Sequence, residues 1–261
     1  SRSISNAITV GGDVTLGDAT NSGALTLSGT VNLGGATRSL SVASASTISG
    51  VISNGSLTKA GSGALTITTR ATYTGATIVN GGELILSTPN YGKALATSGI
   101  TVNNGGTLTL TGINIIYNNL ADTTPVTINS GGTVRVSYSV GQGHNHFNSL
   151  TLNGGTLTGS ATLSPYGNEL ATFDGTVTVG GSSRSVISGA TLNGTALTFS
   201  LNTVGQSVNN GINDFVVAST GDASGVDLLV SAVLSSTSTL RKTGAGVMQL
   251  TGYNTYSGGT L

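Results

Sequence analysis

Short apolar-polar-apolar triplets, set apart by glycine turns, recur along the whole chain. In Ile100-Thr101-Val102 and Leu108-Thr109-Leu110 the alternation is strict, which in an extended strand sends the aliphatic residues to one face and threonine to the other. Four segments share one grammar: Ile78 to Leu84, Ile100 to Leu110, Val126 to Val136 and Leu150 to Leu157. In each, an asparagine closes the first triplet and a Gly-Gly pair follows before the second. Those asparagines are Asn80, Asn103, Asn129 and Asn153, at steps of 23, 26 and 24 residues. Glycine supplies the positive φ that a sharp turn between two strands requires. A step of this length, holding two or three short strands and tight turns, fits one coil of a parallel β-helix whose coils stack about 4.8 Å apart.

The same style extends in both directions. Ile8 to Leu16, Leu25-Thr26-Leu27, Val31 to Gly35 and Val177 to Gly181 read as further rungs. Phe215-Val216-Val217 and Leu228-Leu229-Val230 are wholly apolar and read as strands buried on both faces, with a short helix over 226–234 as the competing assignment. Ser87 to Ala96 and Ser164 to Asp174, each with a proline and a tyrosine, read as loops leaving the stack. The predicted fold class is all-β, a right-handed single-stranded parallel β-helix (β-solenoid) of about eleven rungs and about 50 Å. It forms one continuous unit over residues 1–261, with aliphatic residues lining the bore and threonines facing water. Turn asparagines that recur once per rung stack into an amide ladder through Asn80, Asn103, Asn129 and Asn153. The alternative is four solvated turn residues, since the turns after Asn80 and Asn153 are one residue shorter than those after Asn103 and Asn129.

Composition narrows the function classes. Only 7% of residues are charged, 41 are glycine, three are proline, and there is no cysteine or tryptophan. Such a chain is strand-rich, with a surface of hydroxyls and amides. Nine basic and nine acidic residues give zero net charge with no run of either sign, which argues against nucleic acid as a partner. The lack of cysteine excludes disulfides and thiolate metal sites together. No stretch approaches the length of an apolar membrane helix, so no membrane insertion is expected from this segment. No signal peptide opens at Ser1, so an exported chain would have lost it to processing or truncation.

Candidate chemistry is sparse, and neither a catalytic site nor a cofactor or metal is expected. The acids are scattered; the nearest approach to a cluster is Asp214 with Asp222 and Asp227, in an apparent loop, read as solvated turn aspartates. His144 and His146 would face the same way on a strand, but two ligands do not make a metal site, and no carboxylate lies within ten residues. They read as incidental surface histidines. Runs such as Thr107 to Thr111 raise the idea of an ice-binding hydroxyl array, although outward threonine is also the simplest way to make an uncharged strand soluble.

A longer motif occurs twice. Residues 57–78, LTKAGSGALTITTRATYTGATI, align without a gap to residues 240–261, LRKTGAGVMQLTGYNTYSGGTL, with nine of 22 positions identical. The agreement falls on Lys59/Lys242, Gly61/Gly244, Gly63/Gly246, Tyr73/Tyr256 and Gly75/Gly258, which are structural residue types more than catalytic ones. A phosphate loop would place lysine after the glycines; here it precedes them, so both lysines are assigned to strand ends with the ammonium in water, reaching a carbonyl of the next turn. The pattern Leu-x-Lys-x-Gly-x-Gly followed by Thr-Tyr-x-Gly-x-Thr resembles the passenger-associated transport repeat of bacterial autotransporters. The likeness covers 57–86 and 240–261, and the first copy departs from it at Arg70-Ala71, where the second keeps Tyr253-Asn254.

The resemblance implies a parallel β-helical passenger, exported to or released from the surface of a Gram-negative-type cell, and no particular reaction. The expected function is a structural or adhesive extracellular rod, able to form filaments, whose partners are copies of itself or surface glycans. The alternatives are a carbohydrate-active β-helix enzyme and a spacer that templates folding during export. The first copy continues into Val79-Asn80-Gly81-Gly82, so a further rung is expected after Leu261, in the chain's continuation or in a neighbouring molecule.

Overall fold

The computed structural model describes residues 1–20, 23–87, 95–112, 115–116, 124–138, 145–161, 169–189, 191–192, 195–196, 198–201 and 211–261. Among these residues every regular element is a strand. Almost all of them belong to two parallel sheets that the chain visits alternately.

The first sheet has eleven strands in chain order, from Arg2–Ile4 through Ala64–Ile67, Gly82–Leu86, Gly106–Leu110 and Thr133–Tyr138 to Leu228–Val230 and Met248–Leu250. With one strand from each coil, this is a β-solenoid of eleven rungs. The second sheet has thirteen strands and runs from Ile8–Thr9 through Ile52–Ala60, Ile100–Val102 and Asn145–Asn153 to Thr239–Thr243. Ten of these strands form one path, and three lie beside it because some rungs contribute two strands: Val14–Leu16, Ile212–Val217 and Thr239–Thr243. One small antiparallel pair, Thr191–Leu192 with Thr195–Ala196, stands apart.

Register explains the core. On the inner face of the first sheet Leu65, Leu84, Leu108, Val134, Leu157, Ile187, Val230 and Leu250 pair in one unbroken column. On the second, Val79, Val102, Ile128, Leu152, Val179 and Val217 do the same. Each aliphatic residue packs on its counterpart one rung away, so burial is continuous along the axis. The outer face of the second sheet carries the in-register column Thr101, Thr127, Thr151 and Thr178. Its counterpart on the first sheet is interrupted by charge, because Arg135 pairs with Thr109 and Thr158.

Some assignments need correction. Phe215-Val216-Val217 is a strand, but Val216 is 38% exposed, so the segment alternates like the others. Leu228–Val230 is also a strand and not a helix, with Leu229 half-buried. The expected loop 164–174 ends inside a strand, because Glu169–Val179 runs straight through Asp174. Of the expected loop 87–96, residues 88–94 lie outside the described residues. A parallel sheet edge recruits polar residues that turn chemistry alone assigns to loops, provided the neighbouring rung satisfies their backbone groups.

Candidate functional site

The strand Ile52–Ala60 alternates inward and outward, and its inward positions include both Leu57 and Lys59. Lys59 therefore sits in an aliphatic column, pairing with Leu40 on one side and Val79 on the other. Its side chain is fully buried, which corrects the expectation of an ammonium in water. An ammonium has three donors and no acceptor, and here three backbone carbonyls meet it. Nζ donates to Ala60 O at 2.9 Å, Gly61 O at 2.9 Å and Gly81 O at 2.8 Å. The first two belong to its own turn and the third to the turn of the following rung. In the second copy Lys242 pairs with Phe215 and Nζ donates to Gly244 O, the counterpart of Gly61, at 2.6 Å.

The other shared residues also keep the same geometry. Gly63 N–H donates to Val42 O and Gly246 N–H to Val217 O, both at 2.8 Å. Thr72 N–H reaches Ile52 O and Thr255 N–H reaches Leu234 O, again at 2.8 Å. The Tyr73 hydroxyl lies 2.8 Å from Thr77 Oγ1, and the Tyr256 hydroxyl 2.7 Å from Thr260 Oγ1. In the first copy the chain of hydroxyls goes on, since Thr77 Oγ1 donates to Thr97 Oγ1 at 3.1 Å in the next rung. The motif glycines are the places where the backbone of the preceding rung comes too close for a side chain. A Cβ at Gly61, Gly63 or Gly75 would meet Val42 O, Val42 O or Gly55 O within 3 Å, and Gly244, Gly246 and Gly258 would meet Val217, Ala218 and Ser238 in the same way. Where the copies differ, each has its own solution. Asn254 Oδ1 accepts from Leu234 N–H at 2.8 Å, whereas Ala71 is buried and bridges Leu95 of the next rung.

The four turn asparagines are brought together. Asn103 Nδ2 donates to Asn80 Oδ1 at 2.7 Å, Asn129 Nδ2 to Asn103 Oδ1 at 2.6 Å, and Asn153 Nδ2 to Asn129 Oδ1 at 3.0 Å. The unequal turn lengths do no harm, because each asparagine directly follows the last inward residue of its strand and the extra residue comes after it. A separate pair, Asn54 Nδ2 to Asn32 Oδ1 at 3.1 Å, repeats the contact nearer the N-terminus.

The family model of the passenger-associated transport repeat matches residues 57–86 and 240–261. The chain carries two passenger-associated transport repeats. No curated protein and no solved structure matches it. In the first repeat Lys59 and Thr77 reach across to the next rung, whereas the Tyr73–Thr77, Tyr256–Thr260 and Lys242–Gly244 contacts lie within one rung.

Outside the repeats, several polar groups that looked isolated in sequence are paired across rungs. His146 lies in the strand Asn145–Asn153, and its Nδ1 is 2.6 Å from Oδ2 of the nearly buried Asp174, one rung on. It is therefore not an incidental surface histidine; His144 lies outside the described residues. Asp214 is in a strand and not a loop, and Arg241 clamps it through Nε at 2.5 Å and Nη2 at 2.7 Å. That pairing raises the guanidinium pKa, chiefly through the hydrogen bond. Asp227 is buried and accepts from Thr220 N–H, Thr220 Oγ1 and Val247 N–H, which hold its carboxyl below the usual range. Hydrogen bonds from Ser224, and then from the Arg184 amide, bring Asp222 to about 2. These carboxylates are acceptors for neighbouring backbone and side chains, in place of the solvated aspartates expected. Each pair lies about one coil apart in the chain, Asp174 following His146 by 28 residues and Arg241 following Asp214 by 27, longer than the steps between the turn asparagines. Among the described residues no three metal-binding side chains cluster, and no helix is long and apolar enough to cross a membrane.

Burial pulls the Lys59 ammonium from 10.5 to about 8. Between about pH 8 and pH 10 the unfolded chain then holds more protons than the folded one, so the stability of the folded chain rises with pH across that window. Above about pH 10 the direction reverses, because burial raises the Tyr73 phenol and the folded chain keeps a proton that the unfolded chain loses. Thermal midpoints measured from pH 7 to 10 are expected to climb, and the climb is expected to vanish in Lys59→Met. A flat profile in the parent chain would contradict this assignment.

Proposed function

We propose that this chain is a segment of an exported passenger that acts as a structural or adhesive rod at or beyond the bacterial surface. The observation that carries the reading is the pair of transport repeats built into an eleven-rung solenoid. The repeat family supports export, and a continuous bore with polar side chains bonded between rungs supports the mechanical role. The outer threonine column and the asparagine ladder beside it offer repeated neutral donors and acceptors. Such a surface suits weak contacts to glycans or to other copies of the chain, in which multivalency replaces single-site affinity. Binding to immobilised neutral glycans and to itself is expected to be weak for the monomer and on the order of a hundredfold stronger for a multimerised form. Absence of both interactions in the multimerised form would overturn the adhesive reading.

Two further readings stand behind this one. A carbohydrate-active enzyme would need free carboxylates with divided acid and base roles, whereas Asp214, Asp222 and Asp227 are all engaged as acceptors. Release of sugar from a polysaccharide panel, lost on Asp214→Asn or Asp222→Asn, would reverse the ordering. A pure spacer that templates folding during export predicts that deleting residues 57–86 impairs secretion; unchanged secretion would count against it.

A further inference from the structure

The burial of Lys59 has no counterpart in the regular rungs, where the same column is filled by Val79, Val102 and Ile128. A lysine in a bore is costly unless its charge is met, and here it is met entirely by main chain. The three donors of the ammonium find three carbonyls at 2.8–2.9 Å, so its hydrogen-bonding capacity is filled. The carbonyls converge because both turns carry glycine with positive φ, 76° at Gly61 and 60° at Gly82. The turns are also in contact: a Cβ on Gly82 would lie 2.5 Å from Gly61 O and 2.7 Å from Gly63 O. No side chain separates the two loops, and the lysine is what bridges them.

We infer that the lysine of the transport repeat is a rung clip, its ammonium filling a carbonyl site that is completed only when the next turn is laid down. Gly81 belongs to the following rung, so closure is directional, from the repeat toward the C-terminus. The Tyr73–Thr77–Thr97 relay points the same way, since Thr97 also lies in the following rung. Lys242 uses the same first half of the site through Gly244 O. The ligand class is therefore a primary ammonium; a cation without N–H groups would not satisfy the acceptors.

Chemical rescue separates this role from simple space filling. Replacing a buried charge by an apolar residue is often neutral for overall stability, so global unfolding is a poor readout and local hydrogen exchange is the right one. In Lys59→Ala, exchange at the amides of Asn80 to Gly82 is expected to rise on the order of tenfold, the scale of one buried polar group left unmet. Propylammonium chloride is expected to restore protection there, while tetramethylammonium chloride at equal ionic strength does not. Equal effects of the two salts, or no effect of either, would overturn the clip. Should Lys59→Ala fail to fold, Lys59→Met keeps the volume and loses the donors. Parent-like protection of residues 80–82 in that variant would overturn the proposal equally.

Discussion

Phe173→Ala is expected to cost about 3–5 kcal/mol, the largest effect of any single truncation in the bore. The Phe173 ring is fully buried at the centre of an aromatic cluster formed by three consecutive rungs. Its centroid lies 6.2 Å from Phe147, 5.5 Å from the stacked ring of Phe199 and 5.8 Å from the edge-on ring of Phe215. Each such pair adds about 0.5–1.5 kcal/mol to the area term, so truncation loses several contacts together and leaves a cavity that three fixed rungs cannot close. In a solenoid each rung touches only its neighbours, so the damage should be local. Exchange is expected to quicken in Asn145–Asn153 and Ile212–Val217 and to stay unchanged in Ser46–Ile48, which precedes the nearer of them by nine strands in chain order. A loss below about 1 kcal/mol in denaturant unfolding, the scale of an ordinary point mutation, would show that the cluster is not the keystone its geometry implies.

Gly61→Ala is expected to be nearly as damaging for a different reason. Gly61 has φ +76°, where a Cβ costs about 1–2 kcal/mol, and the added carbon would lie 2.5 Å from Val42 O and 2.7 Å from Val42 N. Those are backbone atoms of the preceding rung, held in a ladder, and they cannot move aside as a flexible side chain would. Gly105 is the matched control: its φ is +74°, but an added Cβ meets nothing within 4 Å. Gly105→Ala should show the conformational cost alone, and Gly61→Ala should exceed it by about 1–3 kcal/mol, the usual penalty for overpacking. Equal destabilisation of the two variants would mean that rungs at the repeat can part without cost, against the tight stacking described for it.

The two variants probe features of unequal visibility. The rung period, the inward aliphatic columns and the turn asparagines all follow from alternation and spacing, because a parallel solenoid repeats the same local chemistry every coil. Lys59 was open to the same logic, since Leu57-Thr58-Lys59 alternates and places the lysine inward with the leucine. The expectation that a cation belongs in water concealed it. The His146–Asp174 and Arg241–Asp214 pairs lie about one coil apart in sequence, and the coil lengths vary too much for a fixed offset to find them. One coil, from Ile187 to its partner Val230, is nearly twice the usual length and resets the count for everything after it.

What the amino-acid sequence determined by itself was periodic: strands that alternate, glycine turns that recur, and two transport repeats recognisable from their lysine, glycines and tyrosine. These depend on φ preferences and on the two-residue period of a strand, which are local properties. Tertiary structure decided which groups meet across rungs, because that depends on register. Register put the Lys59 ammonium under a carbonyl 22 residues away and gave the acids partners in neighbouring strands. A charge is stable in a bore only where backbone acceptors converge on it, and convergence is a property of two stacked turns that neither turn possesses alone.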